Sequence, residues 1–299
     1  MDDTCVDALT ANFRSLDKAL VTPNEAGFLE VDGKFIEADK AFDIKSAEKF
    51  AEKLITLREE HFSENPVYYA TIPEKSYFIK DKTISFLNHD SVSAFLSGPL
   101  YDWKEIDIAS VLTLNDYYTT DRHWRQEKLF PVMKAFAEAM DFTFNEQGYE
   151  STVVENYKGD YSAKLPEIAA ESLVYMTNEA INNAVVDNYQ DTFAKEKVTT
   201  VYNPAKLTSK TPYDVFLSGA TPLTTIKNEN AENERRLVIF RDSYGSSIAP
   251  LFVEAYSEII LVDLRYMSSS LLSQFVDFEN AQVLFLLSDS IVNNSSLLK

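Results

Sequence analysis

Three short apolar runs near the C-terminus constrain the fold more than any other feature of the sequence. They are RLVIF at 236–240, EIILVD at 258–263 and AQVLFLL at 281–287. Between the first two runs, residues 247–256 carry apolar side chains at helical spacing. Strands that alternate with helices in this way form a parallel sheet with helices on both faces. The pattern therefore predicts an α/β protein, and ligands of such sheets bind where the parallel strands end.

The first half of the chain supplies further elements of the same kind. Residues 45–60 have apolar side chains at helical spacing, and the run at 67–73 reads as a short buried strand closed by a proline. A second amphipathic helix is predicted over 127–141, where Pro131 must lie in the first turn or bend the helix. These elements fit the same layered α/β architecture.

The middle of the sequence has a different character. Residues 150–215 mix Tyr, Thr and Val with charged residues, which indicates strands, and a helix is predicted around 166–183. We therefore expect a single domain over 1–299, with a β-containing insertion or subdomain at 142–232. The sequence shows no internal repeat and no low-complexity tract.

Charge and cysteine content exclude several classes of function. The chain has 28 Lys and Arg against 47 Asp and Glu, a formal net charge of −19, so nucleic acid and anionic lipid would be repelled. Cys5 is the single cysteine, which excludes an intrachain disulfide and a cysteine metal site. It is expected to be a free thiol. The alternative, a lipid-anchor cysteine, lacks the apolar stretch that should precede it.

A candidate nucleophile follows the first of the C-terminal strands. In FRDSYGSS at 240–247, Ser243 lies on the predicted turn from strand to helix, which lifts a hydroxyl out of the sheet edge. Gly245 permits close approach of the backbone just beyond it. The N–H of Ser243 and further donors would meet a developing oxyanion. The alternative is that Asp242 or Ser243 merely caps the helix.

A candidate base and its partner lie far upstream, in TTDRHW at 119–124. A serine needs a base within hydrogen-bond reach, and His123 can take that role while Asp121 holds the imidazole in the required tautomer. The alternative is an ordinary solvated loop. The two other histidines, His61 and His89, are expected to be structural or surface residues. A third interpretation is a divalent-metal hydrolase that uses Asp121 and His123, but the sequence shows no clear set of further ligands at metal spacing, so we expect neither a metal nor a cofactor.

These segments resemble a known bacterial family. The matching blocks are GFLEVDGKFIE (27–37), VYYATIPEKSYFI (67–79), DYYTTDRHW (116–124), YKGDYSAKL (157–165), YDVFLSGATPLTTIKN (213–228) and RDSYGSSIAPLFVEAYSEIILVDLRY (241–266). Together they resemble the DHHW family, which is similar to the SGNH-hydrolase-like proteins that O-acetylate alginate and other exported polysaccharides. The resemblance covers most of the chain. Its first and last blocks are fairly specific together, and neither is specific alone.

The resemblance implies a fold, a site and a substrate. The fold would be a three-layer, flavodoxin-like α/β/α sandwich in a permuted SGNH-hydrolase order, with the Asp-x-His block before the serine. The implied triad is Ser243, His123 and Asp121, which would move an acetyl group through an acyl-serine onto a sugar hydroxyl or water. A carbohydrate substrate, an acyl donor or membrane acyl-transfer partner, and an extracytoplasmic location with the leader or anchor absent from this chain follow from the same resemblance.

The chain departs from the family pattern at two places. Arg122 stands where the family name has histidine, although the Asp-x-His spacing is kept. Ser218-Gly219-Ala220 stands where many relatives have Gly-Gly-Asn. If that asparagine lines the oxyanion hole, its absence weakens the case for full activity, and Gly219 would be left to offer a backbone N–H.

Four further residues are candidates for supporting roles. Arg265, at the end of a predicted strand, would bind an acyl donor or a sugar hydroxyl, or else form a salt bridge. Tyr244 and Trp124 would stack on a sugar ring, or else pack in the interior. Lys75 is expected to pair with a carboxylate. Two hypotheses therefore stand: an enzyme whose triad converges, and an inactive module on the same fold that binds glycan or a partner in envelope assembly.

Overall fold

The computed structural model describes residues 23–38, 40–79, 86–189, 195–198 and 200–299, with backbone alone at 195–198. Cys5 lies outside these residues. The strands are β1 (Phe28–Val31), β2 (Lys34–Glu37), β3 (Val67–Ile72), β4 (Lys104–Glu105), β5 (Glu150–Tyr157), β6 (Glu171–Thr177), β7 (Val185–Tyr189), β8 (Lys195–Val198), β9 (Leu223–Lys227), β10 (Arg236–Arg241), β11 (Glu258–Val262) and β12 (Ala281–Ser288). The helices are α1 (Ile44–His61), α2 (His89–Leu96), α3 (Phe130–Met140), α4 (Glu179–Asn183), α5 (Gly245–Ile248), α6 (Leu272–Phe275) and α7 (Asp289–Val292). None of these described helices is both long and apolar enough to cross a bilayer.

An eight-stranded sheet runs through the molecule in the order β4-β3-β12-β10-β11-β9-β7-β8. The first five of these strands are parallel, which confirms the predicted strands near the C-terminus. At the centre, Ile239 of β10 pairs with Leu261 of β11 on one side and Leu284 of β12 on the other. The last three strands, β9, β7 and β8, each run antiparallel to their neighbours. The sheet is therefore mixed, and its five parallel strands have their carboxyl ends along the same edge.

Both faces of this sheet are buried under helices. Along β10, Leu237 and Ile239 face a core that includes the apolar side of α3, whereas Val238 and Phe240 face a core that includes α1 and α2. A parallel strand that is covered on both faces reads as a continuous apolar run, which is why β10, β11 and β12 were legible in the sequence. The predicted three-layer α/β/α fold is confirmed.

Local signals explain where the two long helices begin and end. The side chain of Asp43 accepts hydrogen bonds from the N–H groups of Lys45 (3.0 Å) and Ser46 (3.3 Å), which caps α1. Pro131 lies in the first turn of α3, where its missing N–H costs nothing. α3 then ends at Met140, and the next residue, Asp141, has a left-handed φ of 56°.

The helix predicted over 247–256 is shorter and begins earlier than expected. α5 covers only four residues, and the chain then continues as a 3₁₀ turn over Ala249–Phe252. Pro250 explains the change, because it has no N–H with which to continue an α-helical ladder. The apolar side chains of this segment still pack into the core above the sheet.

The helix predicted around 166–183 is wrong over most of its length. Residues 171–177 form β6, which pairs antiparallel with β5 in a separate two-stranded sheet, and only the short helix α4 follows. The buried side chains of β6, Leu173 and Met176, are three positions apart, which imitates helical spacing in the sequence. β7 and β9 belong to the main sheet, and the insertion predicted at 142–232 stays a prediction.

Candidate active site

Ser243 lies on the turn between β10, which ends at Arg241, and α5, which begins at Gly245. Its side chain is partly exposed at the carboxyl edge of the parallel strands. The turn is tight: a Cβ on Gly245 would lie 2.6 Å from the Cβ of Arg241, closer than carbon atoms approach. Glycine at this position therefore allows the strand to pass into the helix directly beside the serine.

The carboxylate of Asp242 fixes this turn from inside the protein. It accepts a hydrogen bond from the Tyr244 N–H (3.0 Å) and another from the Ser288 N–H at the end of β12 (2.9 Å). The Gly245 N–H donates to the Asp242 carbonyl (3.1 Å). Among the described residues, the Ser243 N–H has no hydrogen-bond partner. It is thus the backbone donor of this turn that remains available to an oxyanion.

His123 joins Ser243 to Asp121. Its Nε2 lies 2.8 Å from the Ser243 Oγ, and its Nδ1 lies 2.6 Å from the Asp121 Oδ1. The loop that carries both residues is folded back on itself by a bridge between Tyr117 and Trp124. The structure therefore brings together all three residues that the sequence nominated, in the order nucleophile, base and acid.

Asp121 is fully buried, and both oxygens of its carboxylate accept hydrogen bonds. Its Oδ2 accepts hydrogen bonds from the Tyr157 hydroxyl (2.6 Å) and the Asp160 N–H (3.1 Å), and its Oδ1 accepts one from the His123 N–H (3.1 Å). Burial alone would raise the pKa of Asp121, but His123 and these hydrogen bonds hold it well below its ordinary range. Asp121 therefore remains a carboxylate, as the orienting acid of a triad must.

Lys75 secures the backbone of the same loop. Its ammonium group donates to the carbonyl oxygens of Tyr118 (2.8 Å) and Asp121 (3.0 Å) and lies 4.7 Å from the ring centre of Tyr161. The expected carboxylate pairing is replaced by these carbonyl contacts. Burial lowers the pKa of Lys75 to about 7, although the charge of Asp121 acts in the opposite direction. The side chain is only 3% exposed, so its role is internal.

Two tyrosine rings enclose the imidazole of His123. Tyr213 stacks on it with ring centres 3.9 Å apart and planes inclined by 9°, and Tyr244 lies 4.8 Å away at 60°. The imidazole itself is buried. Its orientation is therefore fixed by ring packing as well as by its two hydrogen-bond partners.

Two aromatic residues proposed as sugar platforms are interior residues. Trp124 is fully buried, and its Nε1 donates to Ser247 Oγ (2.9 Å). Tyr244 is also buried, and its hydroxyl donates to the Arg122 carbonyl (2.9 Å). Neither ring presents an open face, so both residues support the catalytic loop in this structure.

Arg265 forms a salt bridge with Asp263, two positions earlier in the chain. Its Nε and Nη2 donate to the two carboxylate oxygens of Asp263, at 2.9 and 2.6 Å. This is the salt bridge that the sequence left open as an alternative. Asp263 is fully buried and also lies 3.7 Å from Arg241. The two arginines therefore compensate the negative charge of this buried carboxylate. A ligand of Arg265 would have to compete with this bidentate contact.

Gly219 lies in a strained stretch of backbone. Leu217, Ser218 and Gly219 have φ values of 54°, 63° and 98°, all left-handed. The Gly219 N–H donates to the Phe216 carbonyl (3.1 Å), and a Cβ on this glycine would lie 2.7 Å from the Asp214 carboxyl carbon. The N–H that was considered for an oxyanion hole is therefore already engaged in a turn.

One cluster of potential metal ligands overlaps the triad. Asp121, His123 and Asp160 each have a ligand atom within 4.8 Å of the other two. Because Asp121 Oδ1 and His123 Nδ1 already face each other at 2.6 Å, a cation would compete with that hydrogen bond. Arg122, the departure from the family motif, points outward instead, 3.0 Å from Glu37 and 3.9 Å from Asp160.

Several residues that contact the triad were not predicted from the sequence. Tyr157 and Gly159 belong to the quoted block YKGDYSAKL, and Tyr213 begins another such block, but none of them was given a role. The signal for Gly159 was available, since the chain has only seven glycines. His89 is the first residue of α2 and is buried, with its Nδ1 2.9 Å from Asp289, so of the two expected roles it has the structural one.

The fold and this geometry define an α/β/α protein with an assembled Ser–His–Asp arrangement. No protein-family model and no curated protein matches the sequence. The fold, in contrast, matches solved structures. A DHHW family protein from Eubacterium siraeum superposes with a TM-score of 0.76 at 19% identity, covering 92% of this chain and 94% of that one.

Two further solved structures share the fold. Bacillus cereus PatB1, solved with a sulfonyl adduct, gives a TM-score of 0.70 at 20% identity, with 89% of this chain and 95% of that chain covered. The O-acetyltransferase domain of Pseudomonas putida AlgJ gives 0.50 at 14% identity, with 89% and 92% covered. At these identities the likeness confirms the resemblance in fold to the DHHW and O-acetyltransferase structures.

Proposed function

We propose that this protein is a serine acyl transferase or esterase that acts on O-acetyl groups of cell-surface or exported polysaccharide. The observation that carries the proposal is the continuous hydrogen-bonded chain from Ser243 through His123 to Asp121, at 2.8 and 2.6 Å. Such distances are within the range at which a base takes a proton from a nucleophile.

In the first half-reaction, Ser243 Oγ attacks the carbonyl carbon of an acetyl ester while His123 Nε2 takes the hydroxyl proton. Asp121 stabilises the imidazolium that forms. The carbonyl oxygen becomes an oxyanion near the free Ser243 N–H. When the tetrahedral intermediate collapses, the bond to the donor alcohol breaks, and His123 returns the proton to that alcohol. The enzyme is left with acetylated Ser243.

In the second half-reaction, an acceptor hydroxyl takes the place of the departed alcohol. His123 Nε2 removes its proton, the acceptor oxygen attacks the acetyl carbon, and the proton returns to Ser243 Oγ as the ester bond to the serine breaks. A sugar hydroxyl as acceptor gives O-acetyl transfer, and water gives hydrolysis. The same three residues serve both steps, with the acceptor deciding the outcome.

The solved neighbours support the acyl-transfer chemistry. The AlgJ domain is an O-acetyltransferase by name, and it shares this fold over most of both chains. PatB1 carries a sulfonyl adduct, and sulfonyl groups are electrophiles that activated nucleophiles attack. A carbohydrate acceptor, an acyl donor or membrane acyl-transfer partner, and a location outside the cytoplasm are parts of the same proposal, inferred from the family resemblance.

The inactive, glycan-binding module remains the second candidate because of one observation. The Gly219 N–H, which the sequence suggested as an oxyanion donor, donates to the Phe216 carbonyl instead, so of these two N–H groups only that of Ser243 is free within the described part of the chain. Loss of one donor costs about 10²–10³ in rate in serine hydrolases. On this alternative the triad would be assembled, yet turnover would be negligible and glycan binding would persist without it.

The two candidates differ in a simple assay. We expect wild-type protein to hydrolyse p-nitrophenyl acetate and Ser243→Ala to lose at least 10²-fold of kcat/KM. A sulfonyl fluoride should inactivate the enzyme, with its mass found on the peptide that contains Ser243. Ser246→Ala, which changes a buried serine of the same turn, is the matched control and should retain activity. Equal rates for wild type and Ser243→Ala would favour the binding module.

Transfer and hydrolysis are separated by adding an acceptor. Acetylated enzyme is mixed with neutral oligosaccharides, and mass spectrometry follows sugars that gain an acetyl group against free acetate. A transferase should acetylate the sugar faster than it releases acetate. An esterase should release acetate at a rate that the sugars do not change.

A further inference from the structure

Tyr213 makes the closest ring contact of the catalytic imidazole. The ring centres of Tyr213 and His123 are 3.9 Å apart and the planes are within 9° of parallel. Tyr213 belongs to neither the nucleophile turn nor the Asp-x-His loop. It lies in a short 3₁₀ turn, Pro212–Val215, that precedes the strained stretch ending at Gly219. A third segment of the chain therefore reaches the base.

The ring of Tyr213 is held in place by its hydroxyl group. The hydroxyl donates to Ser247 Oγ (2.7 Å), and the same oxygen accepts from Trp124 Nε1 (2.9 Å). Ser247 in turn donates to the Tyr244 carbonyl (3.3 Å). All of these side chains are buried. The Ser247 hydroxyl accepts two hydrogen bonds and donates one, which uses all of its donor and acceptor capacity. The hydrogen bonds at Ser247 thus connect the Tyr213 ring to the nucleophile turn, through Ser247 itself, and to the Asp-x-His loop, through Trp124.

A neutral aromatic ring at this position favours the charged form of the imidazole. The face of a tyrosine ring attracts a cation, and the attraction is larger where water is excluded. Burial raises the pKa of Tyr213 well above its ordinary value, so the phenol keeps its proton throughout the reaction. His123 gains positive charge only when it has taken the serine proton. The contact therefore strengthens along the reaction coordinate.

We propose that Tyr213 is a positioning residue, which holds the imidazole plane in line between Asp121 and Ser243 and stabilises the imidazolium formed during acyl transfer. The catalytic part of this inference rests on the proposed function, whereas the orienting part does not. Ser247 and Trp124 act one step further out, by holding the Tyr213 ring.

Two substitutions separate the ring from the hydroxyl. Tyr213→Leu removes the stacked ring, and we expect roughly a tenfold fall in kcat for acetyl-ester hydrolysis with KM changed less than about twofold. Tyr213→Phe keeps the ring and should retain most of kcat. The matched control is Tyr175→Leu, which removes a ring that packs at a tilt of 32° against Tyr202, with ring centres 4.5 Å apart, and has no described contact with the triad. It should lose stability without losing kcat.

A spectroscopic measurement tests the stack independently of turnover. The chain has three histidines, so the ring-proton resonances of His123 can be assigned by comparison with His123→Gln. A parallel tyrosine at 3.9 Å should shift them upfield. The shift should persist in Tyr213→Phe and in inactive Ser243→Ala, and vanish in Tyr213→Leu. Where Tyr213→Leu does not fold, Ser247→Ala replaces it. Unlike Tyr213→Phe, this variant removes the acceptor of both the Tyr213 hydroxyl and Trp124 Nε1, so we expect a partial loss of both shift and kcat.

The outcomes are distinguishable. An unchanged kcat and unchanged His123 resonances in Tyr213→Leu would overturn the inference and leave the proposed function standing. Equal losses of kcat in Tyr213→Leu and Tyr175→Leu would also overturn it, since the effect would then be one of stability. If Ser243→Ala were as active as wild type, the proposed function would fail, and the resonances would still decide whether Tyr213 orients His123.

Discussion

The hydroxyl of Tyr157 donates a 2.6 Å hydrogen bond to Asp121 Oδ2, opposite the oxygen that faces His123. Tyr157 is the last residue of β5, so the β5–β6 hairpin is tied directly to the acid of the triad. Both groups are buried. A buried carboxylate without enough donors would take up a proton or turn away. Tyr157 thus helps to keep Asp121 both ionised and pointed at the imidazole.

Replacing Tyr157 by phenylalanine should weaken the protein and the catalyst together. Loss of a hydrogen bond to a buried carboxylate costs about 1–3 kcal/mol in stability, and we expect kcat to fall about tenfold. The depressed pKa of Asp121 gives stability that is present above its ordinary value of 3.8 and lost as pH falls through the folded value. The deficit of Tyr157→Phe, measured by urea unfolding, should therefore be constant from pH 7 down to the ordinary pKa and shrink only at lower pH, where the folded carboxylate takes up a proton.

Tyr175→Phe is the control for that experiment, because Tyr175 makes no contact with the triad. It should unfold with the same pH dependence as wild type. A deficit in Tyr157→Phe that does not shrink even where the folded carboxylate of Asp121 takes up a proton would mean that the hydroxyl does not act on the ionisation of Asp121.

Gly159 leaves room for the same carboxylate. A Cβ at this position would lie 2.7 Å from Asp121 Cγ and nearer still to Oδ2. Gly159→Ala must therefore push Asp121 away from His123, and we expect kcat to fall at least 10²-fold with a loss of about 1–3 kcal/mol in stability. Gly148→Ala is the control, since its new Cβ would lie 3.6 Å from its nearest neighbour. Wild-type kcat in Gly159→Ala would show that the site tolerates the displacement.

The elements and residues with strong local signals were predictable from the sequence. β10, β11 and β12 are apolar runs because both of their faces are covered. Ser243 was found from the strand–turn–helix pattern, and Asp121 with His123 from their spacing. Each of these signals lies within about ten residues. The pairing of loops 120 positions apart was expected because the carboxyl ends of parallel strands share one edge.

The residues that support the triad carry no such local signal. Tyr213 and Tyr157 contact His123 and Asp121 only through the tertiary fold, and nothing in the sequence around a tyrosine says which ring it will meet. The strand β6 was misread because Leu173 and Met176 are buried three positions apart. Propensity and spacing compete in such short segments, and pairing with β5 decided the outcome.

Asp121→Asn should separate charge from shape. The amide nearly matches the carboxylate in size but cannot stabilise an imidazolium, and it disfavours the required tautomer, so we expect kcat/KM to fall about 10³–10⁴-fold. Asp289→Asn is the matched control, because Asp289 forms the other buried contact with a histidine, at 2.9 Å from His89. That variant should lose stability and keep kcat within about twofold. Similar losses of kcat in both variants would mean that Asp121→Asn acts by weakening the fold and not through the imidazole.

Lys75 should give the protein an unusual dependence of stability on pH. Its pKa is about 7 in the folded chain, because burial disfavours the ammonium, against 10.5 as the ordinary value. Between these values the unfolded chain binds more protons, so the free energy of unfolding should rise with pH, by up to about 1.4 kcal/mol per unit from this group. Lys75→Met removes this contribution.

The difference between wild type and Lys75→Met, followed by urea unfolding from pH 6 to 10, isolates the lysine from other groups that titrate in this range. The two proteins should differ in slope above pH 7 and run parallel below it, where both the folded and unfolded lysine are protonated. Parallel curves throughout would mean that Lys75 stays charged when buried. In that case its hydrogen bonds to Tyr118 and Asp121, at 2.8 and 3.0 Å, would outweigh the cost of desolvation.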